Sequence, residues 1–147
     1  MPLSRLDHCS IRTTRLDETR RFYADVMGLV EGDRPPFPFP GAWMYRAETA
    51  VVHIVGIDPN DASGLQGYLG DRGGEGTGPG ATGTGTIDHI AFTATDLADM
   101  HARLKAAGLT WRDRTVPNLG LHQVFVEDPN GVVIELNYPY AESPEAA

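Results

Sequence analysis

A single cysteine, Cys9, excludes an intramolecular disulfide and suits a reducing compartment. No apolar run approaches the roughly 18 residues that a membrane span requires, and the opening Met1-Pro2-Leu3-Ser4-Arg5 lacks the apolar centre of a secretory signal. A soluble, cytoplasmic protein without a membrane partner is therefore expected. Positive charge is also scarce: 12 Lys and Arg stand against 20 Asp and Glu, for a net charge of −8. The basic residues are scattered instead of forming a stripe, which disfavours a phosphate-backbone partner and hence nucleic acid. Glycine is abundant, yet no Gly-Lys-Ser/Thr follows the glycine-rich stretch, so a phosphate loop is not indicated.

What the chain does contain is a near-repeat. Leu6-Asp7-His8 recurs as Ile87-Asp88-His89, and each triplet leads through a strand-like and a helix-like segment to Met27-Gly28-Leu29 or Ala107-Gly108-Leu109. The copies lie 81 residues apart at the histidines and 80 at the glycines. At 147 residues this reads as one folding domain, internally duplicated.

In the first copy, residues 5–13 alternate as a strand, with His8, Ser10 and Arg12 on one face and Asp7, Cys9 and Ile11 on the other. Thr14-Arg15-Leu16-Asp17 has the form of a capping box, and a helix to Met27 follows, closed by Gly28. Residues 29–34, 41–47 and 50–57 read as three further strands. The second copy repeats the order: a strand over 86–93, a helix from an Asp96 cap to Ala107, then strands over 109–116, 121–126 and 132–138. Asp128-Pro129-Asn130-Gly131 is a strong hairpin turn. The expected fold is α+β, built from two βαβββ modules: module 1 over about 5–57 and module 2 over about 87–138. Residues 58–86 between them hold ten of the seventeen glycines and have linker composition, with a short helical turn near Leu65 to Leu69. A disordered tail is expected over about 141–147.

Applied to the end of the first copy, the period sets His53 opposite Ile134 and Glu135. His8, His53, His89 and Glu135 thus fall at corresponding places, and a pseudo-two-fold arrangement would bring all four to one point. Imidazoles and a carboxylate suit Fe, Ni, Mn, Co or Zn as divalent ions. Strand parity puts Glu135 on a face with Val133 and Asn137, while Ile134 and Leu136 turn to the helix. A glutamate among such apolar neighbours is costly to bury unless its charge is compensated. Any one of these histidines taken alone suits an ordinary strand residue; the repeat is what favours a shared metal site. His53 stays open between fourth ligand and acid–base.

The paired histidines, together with Val126-Glu127-Asp128-Pro129-Asn130-Gly131-Val132-Val133-Ile134-Glu135-Leu136, resemble the vicinal oxygen chelate superfamily of glyoxalase I, bleomycin-resistance proteins and extradiol dioxygenases. The resemblance runs from about Leu6 to Tyr138. It implies paired modules curling into an open cup around one metal, where a small substrate chelates through adjacent oxygens. Two enzyme readings follow. A glyoxalase or epimerase type of proton transfer, a lyase or isomerase reaction, uses four ligands, with Glu135 or His53 moving the proton; this reading is preferred. Fe(II)-dependent extradiol ring cleavage uses His8, His89 and Glu135, with His53 as acid–base, but it expects a tyrosine where Phe125 stands. A third reading, from another class, is a non-catalytic binding protein like the bleomycin-resistance relatives. The resemblance also implies a homodimer.

For substrate contacts the sequence offers Arg12, in register with His8 and suited to a carboxylate. It also offers Phe37, Phe39 and Trp43 from the proline-rich segment Arg34 to Trp43, and Phe125. His122 joins this set as a rim residue, although period-two parity turns it away from the Phe125 face unless a bulge intervenes. His101 reads as a surface helix residue, and Cys9 as a small buried hydrophobe.

Overall fold

β1 (Cys9–Thr13) is an edge strand with a split personality: Ile11 and Thr13 are buried, whereas Ser10 is exposed and Arg12 half-buried. The same alternation governs β3 (Gly41–Arg46) and β4 (Thr49–Gly56), where Ala42, Met44, Val52 and Ile54 are buried. With β2 (Val30–Gly32) these make a four-stranded sheet in the order β1-β4-β3-β2, parallel at β1–β4 and antiparallel elsewhere. Parallel neighbours cannot be joined by a tight turn. Helix α1 (Leu16–Arg21), continued by a π-type turn over Phe22–Val26, makes the first connection and meets β3 and β4. Its buried residues Thr19, Phe22, Tyr23 and Val26 complete the core of this unit. The computed structural model describes residues 5–58, 60–61, 63–69 and 89–146.

The helix start differs from the capping-box expectation. Arg15 holds the cap position without a side-chain capping bond, and the Thr13 hydroxyl accepts from the Arg15 N–H at 2.8 Å. The helix therefore begins one residue later than a Thr14 cap requires, and Thr13, at the end of β1, holds the chain where it enters the helix. At the other end Gly28 takes φ 78° and the Leu29 N–H bonds the Tyr23 carbonyl at 2.9 Å, a glycine-terminated helix end as expected.

The second unit repeats this topology. β5 (Ile90–Thr93), β8 (Val133–Pro139), β7 (Leu121–Glu127) and β6 (Arg112–Val116) form a sheet in the order β5-β8-β7-β6, again parallel only at β5–β8. Its helix runs over Leu97–Ala106, with the Asp96 side chain accepting from the Asp99 N–H and Leu97 and Leu104 buried. The α+β class and the two βαβββ modules are thus as the sequence reading has them. By contact the chain divides into Met1–Ala81 and Thr82–Ala147.

Helix α2 (Ser63–Leu69) lies in the stretch assigned to the linker, and the Leu97–Ala106 helix is α3. Ile87 and Asp88 of the second repeat triplet, and residues 70–86 of the linker, lie outside the described residues. Where composition suggests a disordered tail, residues 140–146 form two 3-10 turns, and Ser143 between them is buried.

The β7–β8 turn is held from within. Asp128 is buried, and its Oδ1 accepts from the N–H groups of Asn130 at 2.8 Å and Val132 at 2.9 Å, with Gly131 at φ 81°. Replacing Asp128 by Ala leaves two donors without that acceptor and is expected to cost about 1–3 kcal/mol. Urea unfolding followed by circular dichroism checks this; an unchanged midpoint would mean the turn contributes nothing net.

Candidate functional site

The parallel strand pair of each sheet sets the site. In the first unit Ser10 pairs with His53; in the second Ala91 pairs with Glu135. Each partnered residue lies two beyond a repeat histidine, so His53 and Glu135 occupy the same place in their modules. The period alone left His53 between Ile134 and Glu135, and the register resolves it. The antiparallel neighbours correspond too: Trp43 faces His53 and Phe125 faces Glu135.

In the first unit three rings stack. His8 lies on His53 with centroids 3.7 Å apart and planes 10° from parallel, and Trp43 covers the other face of His53 at 3.9 Å and 13°. His8 Nδ1 is 2.6 Å from Asp7 Oδ2, a bond that orients the ring and leaves Nε2 as the second nitrogen. That bond holds the Asp7 carboxyl below its ordinary value. Burial, and then the neighbouring His8, lower the pKa of His53 below 6.5. His53 is thereby a neutral imidazole near pH 7, the form able to accept a proton.

Around the stack lies an open cavity of about 550 Å³. Arg12 and Ser10 from β1 line it as the alternation requires, and Phe37, Phe39 and Trp43 form an aromatic wall. Arg34, which the sequence reading did not single out, anchors that wall. Its guanidinium donates to the Phe39 carbonyl at 2.8 Å and lies 5.0 and 5.1 Å from the Phe37 and Phe39 ring centroids. Burial lowers its pKa below that of a free guanidinium, and it remains a cation. Leu65 of α2 lines the same cavity, and Gly64 allows the approach: a Cβ there would sit 1.7 Å from the Pro38 carbonyl oxygen.

In the second unit His89 Nε2 stands 3.6 Å from Glu135 Oε1. The other carboxylate oxygen is held by a relay absent from the sequence reading. Arg114 Nε donates to Gln123 Oε1 at 2.9 Å, Gln123 Nε2 to Asn137 Oδ1 at 2.9 Å, and Asn137 Nδ2 to Glu135 Oε2 at 2.9 Å. Each amide accepts on one side and donates on the other, so the polarity runs one way from guanidinium to carboxylate. The Glu135 charge, on a side chain only 12% exposed, is thus compensated while Oε1 faces His89. Such donor sets suit a divalent transition ion. Phe125 shares this face, 4.6 Å beneath the Arg112 guanidinium.

His122 is placed differently from its role as a substrate contact. No register shift interrupts β6–β7–β8, so His122 keeps the face opposite Phe125 and Glu135, 3% exposed and bonded to Asp113 and Thr115. Tyr138 is its cross-strand partner on that buried face, with its pKa pushed up to about 12 by burial.

The sequence pattern of the Glyoxalase/Bleomycin resistance protein/Dioxygenase superfamily matches residues 5–136. A curated relative, Glyoxylase I 4 of Arabidopsis thaliana, is 25% identical over 138 residues, covering 91% of this chain and 70% of the relative. Among solved structures, lactoylglutathione lyase from Agrobacterium tumefaciens is similar with a TM-score of 0.60 and 21% identity, covering 94% of this chain and 96% of that one. The antibiotic-binding protein TnmS3 from Streptomyces sp. CB03234 gives 0.62 and 19%, covering 95% and 98%. The fosfomycin resistance protein FosX from Listeria monocytogenes gives 0.63 and 16%, covering 98% of both. These structural likenesses speak to the fold.

In metal-free protein the His53 imidazole should titrate below 6.5 by NMR and move upward in Trp43→Phe or His8→Gln, which relieve burial or the neighbouring charge. Because the folded value is the lower one, the unfolded chain binds this proton first. The stability linked to His53 is present above about pH 6.5 and is lost as pH falls through the folded value. A midpoint at or above 6.5 would contradict the stack's effect.

Proposed function

The chain belongs to the Glyoxalase/Bleomycin resistance protein/Dioxygenase superfamily, and from that premise we propose that it is a divalent-metal-dependent enzyme moving a proton at the carbon beside a chelated carbonyl. His8, His89 and Glu135 hold the ion, and the protein acts as a homodimer on a small cytoplasmic substrate. A bound ion supplies Lewis-acid polarisation of the substrate's α-oxo or thioester oxygen. His53 takes and returns the proton, while Arg12 pairs an anionic group and Phe37, Phe39 and Trp43 hold an apolar or aromatic one.

The observation that carries this reading is the parallel stack of His8 on His53. An imidazole binds a metal near its own ring plane at about 2.0–2.1 Å. Two rings lying 10° from parallel with centroids 3.7 Å apart do not direct their nitrogens to one such point. With His8 as the ligand, His53 is left as a neutral base, kept uncharged by burial and by the neighbouring His8.

Ring cleavage is less well served. Phe125 offers no hydroxyl, the Tyr45 hydroxyl is engaged 2.6 Å from the Asp33 carbonyl, and Tyr138 and His122 lie on the buried face. A binding-only role leaves the oriented Glu135 carboxylate unexplained. No described helix is long and apolar enough to cross a membrane.

Anaerobic reconstitution with Fe(II), Ni(II), Mn(II) or Zn(II), followed by NMR of solvent deuterium entering hemithioacetal and acyl thioester substrates, tests the proposal. His53→Gln should slow exchange by about 10²–10⁴ while metal stoichiometry is kept. Glu135→Gln or His8→Gln should lower both. Oxygen uptake with catechols in place of exchange would instead establish the dioxygenase; metal loss in His53→Gln would make His53 a ligand.

A further inference from the structure

Away from the repeat-related residues, three elements of the second unit converge on one carboxylate oxygen. His101 on α3 and His122 on β7 each place Nε2 2.8 Å from Asp113 Oδ1 on β6. The donor atoms of the three residues all lie within 4.8 Å of one another. We propose that His101, Asp113 and His122 form a second transition-metal site, a two-histidine, one-carboxylate clamp joining α3 to the β6–β7 edge and taking Zn(II), Co(II) or Ni(II). The inference does not rest on the proposed enzymatic reading.

The surrounding bonds suit ligation. Trp111 Nε1 donates to Asp113 Oδ2 at 2.8 Å, so the carboxylate is oriented with Oδ1 toward the imidazoles. Burial tends to raise the Asp113 pKa, but hydrogen bonds from His122, His101 and Trp111 outweigh it, and the group is ionised as a ligand must be. Donors on a tetrahedral ion lie about 3.3 Å apart when bonds are near 2.0–2.1 Å, so the 2.8 Å contacts need open only slightly. Entry is possible because the His101 and Asp113 side chains are 30% and 37% exposed, whereas His122 at 4% is fixed from behind.

His122 is also ready for the tautomer that ligation demands. Its Nδ1 lies 3.0 Å from the Thr115 hydroxyl, which lies 3.2 Å from the Ser143 hydroxyl. Metal-free, both Nε2 atoms donate to Asp113 and the Thr115 hydroxyl donates to Nδ1. When Nε2 binds an ion, its proton moves to Nδ1, which donates to Thr115, and the Thr115 proton turns to Ser143. His122 Nδ1 thus keeps the Thr115 hydroxyl as a partner in both states, the supporting arrangement typical of ligating histidines.

The test uses the full chain carrying His8→Gln and Glu135→Gln, titrated with Zn(II) alone by calorimetry and followed by long-range imidazole ¹H–¹⁵N NMR. Saturable uptake of one ion is expected, with the Nε2 signals of His101 and His122 shifting together and the protons moving to Nδ1. Adding His101→Gln, at a partly exposed position that should not disturb folding, or Asp113→Asn should weaken uptake at least tenfold. No saturable uptake, uptake indifferent to both substitutions, or shifts confined to other histidines would overturn the site.

Discussion

The arrangement of the repeat-related residues hangs on one constraint, the register of the parallel strand pair in each sheet, β1 with β4 and β5 with β8. Pairing Ser10 with His53 and Ala91 with Glu135 sets each side chain on the face that also carries the preceding repeat histidine. Because side chains alternate with period two, a slip of one residue in either pair would send His53 or Glu135 into the apolar layer against the helix. The buried Val52 and Ile54 beside His53, and Ile134 and Leu136 beside Glu135, make that slip costly. The hydrophobic core therefore acts as the positioning device for the polar face.

The two modules use the same place differently. In the first, His53 is sandwiched between His8 and Trp43, and burial keeps it uncharged. In the second, the equivalent carboxylate is supported by Asn137, Gln123 and Arg114. A neutral ring tolerates a stack of aromatic faces; a carboxylate needs donors. The divergence of the two modules separates a stacked, neutral imidazole from an anchored carboxylate, two environments that one position could not supply together.

Much of this was legible in the chain. The glycine-terminated helices, the Asp128-to-Gly131 turn, the αL-capable stops and the alternation around Glu135 are local patterns, and local patterns reflect backbone sterics and burial within a few residues. The parity that turned His122 from Phe125 was equally readable. The Thr14 cap does not form because the helix starts one residue later, with Arg15 at the cap position, and one residue of backbone placement decides that. Arg34 went unnoticed because its role depends on a loop folding back so that its guanidinium meets Phe37 and Phe39. His101 read as a surface residue because nothing nearby in sequence announces Asp113 and His122.

By itself the sequence determined the duplicated βαβββ plan, the superfamily, the placing of His8 and His89 beside the first strand of each copy, and which strand faces carry Arg12 and Glu135. These follow from periodicity and repetition, which are properties of neighbours along the chain. Only the tertiary structure decided that His53 is the counterpart of Glu135, that it stacks between two rings, that a relay of amides holds the carboxylate, and that His101 joins Asp113 and His122. Those depend on cross-strand register and on helix placement over a sheet edge, where residues 9 to 14 positions apart meet through hydrogen bonds that no local window encodes.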